Sequence, residues 1–275
     1  MTTASDANRS RVRRGYVDTP GGQVHYRRSG LPGRPVIGFF HQTASSGRMF
    51  ELVMRELGPR YDCYAFDTPG FGQSWQPTEV PSVRWLAERL IEAVDALGIG
   101  DLVLCGHHTG GCIALEIALA VPARIRALSI IGPVTPTPEE RIEYAKVFTE
   151  PFRPDAGGDF LPVAWDYLKR IGAASSVALH TAELVDHLIA WRTMPLAFGA
   201  VWRQDVFAGL RSLRAPLQFM CSKDDVLWPM FARACEMRPD AATAIVDGGD
   251  YQPDRDPQGV ANALAAFVDG LPEAR

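Results

Sequence analysis

The sequence has no long apolar run and no excess of charge of one sign. Its 275 residues carry 28 Lys and Arg against 32 Asp and Glu, a formal net charge of −4. That balance provides no basic surface for nucleic acid or an anionic membrane, beyond four N-terminal arginines at positions 9, 11, 13 and 14. No stretch reaches the roughly 18 apolar residues of a membrane span, and no apolar run follows the N-terminal charges. We therefore expect a cytoplasmic protein with a small-molecule substrate and neither a nucleic acid nor a membrane as partner.

Paired cysteines are also lacking. The five cysteines are odd in number and do not show the paired spacing of zinc sites: Cys63, Cys105, Cys112, Cys221 and Cys235. Reduced, buried thiols in a cytoplasmic protein account for them. Oligomeric state leaves no trace in the sequence.

Short apolar runs bounded by turn residues predict the strands of a parallel sheet. Because they are continuous rather than alternating, they are typical of a sheet that is covered on both faces. Two alternating segments joined by a turn come first and predict a hairpin. The hairpin is "RRGYVDT" (13–19) and "GGQVHYRRSG" (21–30); the apolar runs are "PVIGFF" (35–40), "YDCYAFD" (61–67), "DLVLCGH" (101–107), "RALSIIG" (126–132), "PLQFMCS" (216–222) and "AATAIVD" (241–247).

Amphipathic stretches alternate with these runs and predict helices at residues 48–57, 82–97, 110–120 and 257–268. Strand and helix in repeated alternation predict an α/β protein with a doubly wound, mostly parallel sheet.

Residues 133–212 interrupt the alternation. They open with "GPVTPTPEE" and contain helical fragments but no clear strand, so we predict a helical cap inserted into a core made of residues 15–132 and 213–275. Residues 1–14 are expected to form a flexible arm. Each large apolar residue of the cap could simply pack inside it, but as a group they favour an apolar pocket, with Trp165 and Trp191 expected to contact substrate. The group comprises Tyr144, Phe152, Trp165, Tyr167, Trp191, Met194, Phe198 and Trp202.

The order of motifs resembles the α/β-hydrolase fold superfamily in its lid-bearing branch, which includes esterases, carbon–carbon bond hydrolases, epoxide hydrolases and haloalkane dehalogenases. The resemblance extends from about Tyr16 to Phe267. Five segments carry it, in the family's order: "FFHQTASSGRMF" (39–50) is similar to the oxyanion loop, "FDTPGFGQS" (66–74) to the turn after the fourth strand, "GHHTGG" (106–111) to the nucleophile elbow, "SKDDVLWP" (222–229) to the acid loop and "DGGDYQPDRDP" (247–257) to the histidine loop.

Two of the three catalytic positions depart from the family pattern. The elbow position that holds serine is His108, and the loop position that holds histidine is Asp250; the acid position is Asp225. A serine acyl-enzyme mechanism is therefore not available as the family uses it, because both the hydroxyl and the imidazole that activates it are missing.

A general base is the first interpretation of this site. Imidazole has an unperturbed pKa of about 6.5, suited to proton transfer near neutral pH. We expect Asp250 to accept the ring N–H of His108, with Asp225 approaching the same ring or supporting Asp250. The resemblance places the oxyanion donors at the backbone N–H groups of Thr109 and Gln42, with His41 beside them.

Three alternatives remain open from the sequence. His108 could be a covalent nucleophile. A divalent metal could be held by His41, His108, Asp225 and Asp250, since two imidazoles with carboxylates are a familiar ligand set. The site could instead be degenerate, on a protein that only binds a ligand.

The resemblance to the family implies a cofactor-free enzyme that adds water to an ester, lactone or activated carbon–carbon bond, and we expect the substrate to be small and apolar or aromatic. The alternative reaction is a lyase-type proton transfer, such as an elimination, decarboxylation or retro-aldol cleavage, which needs a base but adds no water.

Overall fold

A computed structural model describes residues 11–148 and 153–271 of the chain. Eight strands form one sheet in the order β1-β2-β4-β3-β5-β6-β7-β8. The β1–β2 and β2–β4 pairs are antiparallel, and every later pair is parallel. The predicted doubly wound, mostly parallel sheet is confirmed.

All eight strands coincide with the hairpin and the apolar runs predicted from the sequence. Their bounds are β1 (Arg13–Thr19), β2 (Gly22–Ser29), β3 (Val36–Phe40), β4 (Asp62–Phe66), β5 (Leu102–His107), β6 (Ile125–Ile131), β7 (Leu217–Cys221) and β8 (Ala242–Ile245).

Helices follow most strands, and several begin at a side chain that caps the first turn. Ser82 accepts from the backbone N–H of Trp85 at 3.1 Å before one helix, and Ser176 accepts from that of Leu179 at 3.1 Å before another. The α-helices are α1 (Glu51–Leu57), α2 (Val83–Ala96), α3 (Thr109–Ala120), α4 (Pro138–Phe148), α5 (Phe160–Arg170), α6 (Val177–Ile189), α7 (Met194–Arg203), α8 (Val206–Ser212), α9 (Trp228–Met237), α10 (Gln252–Arg255) and α11 (Pro257–Asp269).

Both faces of the sheet are covered at its centre, which explains why β3 to β7 are continuously apolar. Apolar residues of α2, α3 and α9 form one core cluster, and those of α1 and α11 form another. All residues of β5 and of β7 are buried between such layers. Sustained burial of this kind contributes roughly 25 cal/mol per Å² of apolar surface and holds the strand ends in place.

The segment between β6 and β7 contains α4 to α8, and its described part contains no strand. We call residues 138–212 the helical insertion. The predicted flexible arm is wrong at its end, because Arg13 and Arg14 belong to β1, where they pair with Arg28 and Arg27. Residues 1–10 of that arm lie outside the described residues. In the described ranges no helix has both the length and the hydropathy to cross a bilayer.

Candidate active site

The residues singled out in the sequence meet at one edge of the sheet. Gln42 follows β3, His108 and Thr109 follow β5, and Asp225 and Asp250 lie in the loops after β7 and β8. Because these four strands are parallel, their carboxyl ends open to the same side, where open α/β sheets bind ligands.

The backbone of His108 has the sharp conformation of an elbow. Its φ is 49° and its ψ is −112°, a region that costs a non-glycine residue about 1–3 kcal/mol. Surrounding hydrogen bonds fix it, since its N–H donates to the Ile131 carbonyl at 2.9 Å and its own carbonyl accepts from Gly111 at 2.9 Å. Gly110 lets β3 approach, because a Cβ there would lie 1.9 Å from the Phe40 carbonyl oxygen.

The His108 ring is bound to Asp225, not to Asp250. Its Nε2 lies 2.9 Å from Oδ2 of Asp225, so the ring donates its N–H to that carboxylate. Asp250 instead accepts the backbone N–H of Val226 at 2.9 Å through Oδ1. The expectation that Asp250 receives the ring N–H is wrong because Asp250 is turned towards the loop after β7. Gly132 leaves room for the ring, since a Cβ there would lie 2.3 Å from Cδ2 of His108.

The hydrogen bond leaves Nδ1 of His108 without a partner among the described residues, and His108 lines the cavity described below. Burial alone would lower the pKa of His108, but the charge and hydrogen bond of Asp225, and then the charge of Asp250, raise it above its usual value. Burial would likewise raise the pKa of Asp225, but the imidazolium and the N–H of Leu227 lower it to about 2. The two groups therefore form a dyad of an ionised carboxylate and a basic imidazole.

Asp250 also lines the cavity, and its pKa differs from that of Asp225. Burial, together with the nearby Asp225 carboxylate, raises the pKa of Asp250, although His108 and the N–H of Val226 oppose that shift. Two carboxylates with opposed pKa shifts beside one imidazole are typical of acid–base sites.

Gln252 joins this dyad to a second histidine. Its amide Nε2 donates to Oδ2 of Asp225 at 2.6 Å, and its Oε1 accepts from Nε2 of His107 at 2.7 Å. His107 is fully buried, and its ring stacks on that of His108 with centroids 4.1 Å apart. Burial, and then the His108 charge, lower the pKa of His107 well below its usual value, so it stays neutral.

Sequence reasoning missed Gln252, although it follows Asp250 by two positions. A polar residue directly before Pro253 in a predicted loop gives no sign that it is fully buried.

The four expected metal ligands do not converge. Both ring nitrogens of His41 are occupied, Nδ1 with the Gln42 carbonyl at 2.7 Å and Nε2 with the N–H of Thr68 at 3.0 Å. In the described part of the chain, the group whose ligand atoms lie within 4.8 Å of one another is His107, His108 and Asp225. Hydrogen bonds already occupy Nε2 of both imidazoles and Oδ2 of Asp225. This group is therefore better suited to holding the His108 ring in place than to binding a metal.

Gln42 and Thr109 both line the cavity beside His108. Thr109 is the first residue of α3, where a backbone N–H has no partner within the helix. The N–H of Gln42 has no hydrogen bond to any described residue. The N-terminus of α3 therefore lies at the cavity beside His108, and helix N-termini favour negative charge.

A cavity of about 320 Å³ lies between this edge of the sheet and the helical insertion. Its aromatic wall differs from the one expected. Trp165 stacks on His180 and Trp191 lies against Arg192, and neither is among the lining residues. Phe152 lies outside the described residues. The aromatic lining residues from the insertion are Tyr144, Tyr167, Phe198 and Trp202.

Three carboxylates share one guanidinium where the insertion meets the core. Arg48 donates to Glu183, to Asp186 at 3.3 Å and to Asp254 at 3.2 Å. Burial raises the pKa of Asp186 to about 6 and that of Asp254 to about 7, although Arg48 opposes both shifts. We call these four residues the carboxylate cluster. It connects α6 to α10 and to the loop after β3.

The chain matches known proteins over most of its length. The sequence profile of the Alpha/beta hydrolase family matches residues 31–263. The candidate carbamate hydrolase RutD of Azorhizobium caulinodans is 28% identical over 202 residues, which are 71% of this chain and 76% of that protein.

Solved structures agree in fold. Cfl2 of Burkholderia cenocepacia superposes with a TM-score of 0.77 at 19% identity, covering 93% of this chain and 95% of Cfl2. The enol-lactonase of Burkholderia xenovorans LB400 superposes with a TM-score of 0.75 at 16% identity, covering 93% of this chain and all of that one. At these identities the likeness shows a shared fold.

Proposed function

Since the chain belongs to the alpha/beta hydrolase family, we propose that it is a cofactor-free hydrolase in which His108 acts as general base. The observation that carries the proposal is the orientation of the His108 ring. Its Nε2–H is bound to Asp225 at 2.9 Å, which leaves the bare Nδ1 to accept a proton at the cavity.

The reaction requires one proton to move twice. Nδ1 of His108 removes a proton from water, and the oxygen of that water forms a bond to the carbonyl carbon of the substrate. The imidazolium is stabilised by the ionised Asp225. When the bond to the leaving group breaks, the imidazolium returns the proton to that group, so the enzyme ends unchanged.

The backbone N–H groups of Gln42 and Thr109 bind the oxyanion of the tetrahedral intermediate. Preorganised donors of this kind lower the barrier by about 3–4 kcal/mol each, because they need not reorient as charge develops. Asp250, whose pKa is raised, interacts electrostatically with His108. Its charge favours the protonated form of the His108 ring.

The substrate class follows from the cavity and from the relatives. An aromatic wall and a volume of about 320 Å³ suit a small apolar or aromatic molecule. A candidate carbamate hydrolase and an enol-lactonase are both named for compounds with a carbonyl group. We therefore propose a small ester, lactone or activated carbon–carbon bond as the substrate, with a lyase-type proton transfer as the alternative reaction.

A panel of aryl esters and lactones in H₂¹⁸O tests the proposal. We expect the wild type to turn over at least one of them with ¹⁸O in the product, and His108→Gln to lose at least about 100-fold in kcat. His180→Gln is the matched control, because His180 lies outside the cavity lining and stacks on Trp165. Chelator treatment is expected to leave the rate unchanged.

Three outcomes would contradict the proposal. Turnover that survives His108→Gln would show that His108 is not the general base. Product without ¹⁸O would show that no water is added, as in the alternative lyase-type reaction. An acyl adduct on His108, detected by mass spectrometry after rapid quenching, would make the imidazole a nucleophile instead.

A further inference from the structure

Tyr251 presents a buried hydroxyl that no described residue satisfies. The side chain is fully buried and packs in a cluster with Leu168, Ala173 and Leu179. Tyr251 lines the cavity, and its hydroxyl has no hydrogen-bond partner in the described ranges. A buried hydroxyl in this state weakens a folded protein, because it has lost its bonds to water and gained none.

His187, which also lines the cavity, offers a hydrogen-bond acceptor. Its Nδ1 lies 2.9 Å from the Glu183 carbonyl oxygen, which can only accept, so the ring proton is on Nδ1. Burial lowers the pKa of His187 to about 4, so the ring is neutral at pH 7 and Nε2 carries a lone pair. No described residue donates to Nε2.

Tyr251 and His187 line the same cavity, and Tyr167, which lines it too, lies near both. Tyr167 packs against the apolar cluster of Tyr251, and its ring lies 6.2 Å from that of His187. Burial, followed by the charges of Glu183 and Tyr167, raises the pKa of Tyr251 above its usual value, so its hydroxyl remains a donor throughout the physiological range. The region thus offers one donor and one acceptor, and neither carries a charge.

We propose that Tyr251 and His187 bind a hydroxyl group of the substrate. A hydroxyl both donates and accepts, so it satisfies the Tyr251 O–H and the lone pair of His187 together. A carboxylate fits less well, because it has no proton to donate to that lone pair. Its negative charge would also lie near the buried Glu183. The substrate is accordingly a small aromatic or apolar carbonyl compound that carries a hydroxyl; its carbonyl end alone rests on the proposed function.

Arg170 supports the opposite expectation, that the cavity binds an anion, so the test includes an anionic probe. It lines the cavity, is exposed, and has no ion pair with a described residue. If the cavity selects an anion, Arg170 is the group that would bind it.

Binding of unreactive ketones by calorimetry tests the proposal without turnover. The probes are acetophenone, its three monohydroxy isomers and 4-acetylbenzoate. We expect at least one hydroxy isomer to bind about tenfold tighter than acetophenone, which corresponds to about 1.4 kcal/mol. Tyr251→Phe should abolish this preference and leave the affinity for acetophenone unchanged.

Tyr61→Phe is the matched control, because the Tyr61 hydroxyl donates to Asp269 at 2.8 Å outside the cavity. It should keep the preference but lower Tm, since it loses a hydrogen bond. Tyr251→Phe should not lower Tm, since its hydroxyl has no hydrogen bond to a described residue to lose.

Equal affinity of the wild type for acetophenone and all hydroxy isomers would overturn the proposal. So would a preference that survives Tyr251→Phe, or absence of binding by all five probes. Tightest binding of 4-acetylbenzoate would assign the cavity to an anion at Arg170. None of these results depends on catalysis, so they are separate from the outcome of the His108→Gln experiment.

Discussion

Replacement of Asp225 by Asn should lower the free energy of unfolding by an amount that follows from the hydrogen bonds and the pKa of Asp225. Three N–H groups converge on this carboxylate, from His108 at 2.9 Å, Gln252 at 2.6 Å and Leu227 at 2.7 Å. Against the opposing effect of burial, the charge and hydrogen bond of His108 and the N–H of Leu227 lower the pKa of Asp225 from 3.8 to about 2. At 1.36 kcal/mol per unit, the ionised form is favoured by about 2.5 kcal/mol in the folded state.

The pH dependence of this effect has a defined sign. A carboxylate with a depressed pKa stabilises the fold fully above its unfolded pKa of about 3.8 and loses that contribution as pH falls towards 2. Asp225→Asn should therefore cost about 2.5 kcal/mol in urea unfolding at pH 7, and clearly less at pH 3. The pKa of His108 should also fall in the variant, because the charge of Asp250 then opposes the effect of burial without that of Asp225.

Asp224→Asn is the control, since Asp224 is the adjacent residue and is exposed. It should change the free energy of unfolding by no more than about 0.5 kcal/mol. Equal stability of wild type and Asp225→Asn at pH 7, with an unchanged pKa of His108, would refute the reasoning.

Three further predictions concern other parts of the site. Asp254→Asn should raise the free energy of unfolding by up to about 4 kcal/mol at pH 8, because a pKa raised from 3.8 to about 7 makes the folded state lose stability as pH rises from about 4 to 7. Urea unfolding of the wild type and the variant from pH 5 to pH 8 checks this, and a wild type that gains stability across that range would contradict it. Gly132→Ala should displace the ring of His108, because the new Cβ would lie 2.3 Å from Cδ2, and should reduce kcat at least about tenfold; unchanged kcat would refute the contact. Trp202→Ala should weaken binding of acetophenone about 10- to 100-fold by calorimetry, whereas Trp191→Ala should not, because only Trp202 lines the cavity; equal losses would contradict that assignment.

The central strands β3 to β7 could be predicted from the sequence because they are buried on both faces. A run such as "DLVLCGH" is continuously apolar, and turn residues bound it on either side, so each strand was placed to within a residue or two. The elbow could also be predicted from the sequence, because its close packing requires glycine at Gly110.

The partner of His108 could not be predicted in the same way. Asp225 and Asp250 both follow parallel strands, and which carboxylate reaches the ring depends on the path of two loops. The N–H of Val226 holds Asp250 away from the ring, and Gln252 supports Asp225 from a position that no periodic pattern indicates.

The aromatic wall was mispredicted for a similar reason. Helices of the insertion present aromatic side chains on more than one face, and packing decides which face meets the cavity. Trp165 lies against His180 of α6, whereas Trp202 of α7 turns inwards beside Phe198. Amino-acid type alone did not separate these tryptophans.

The protonation state of the His108 ring tests the central claim most directly. In ¹⁵N-histidine NMR, with His108→Gln used to assign the resonances, the account predicts a neutral ring protonated on Nε2 with a bare Nδ1, and a pKa above 6.5. A neutral ring protonated on Nδ1, or a pKa below 6.5, would contradict the claim that Asp225 holds His108 as a general base facing the cavity.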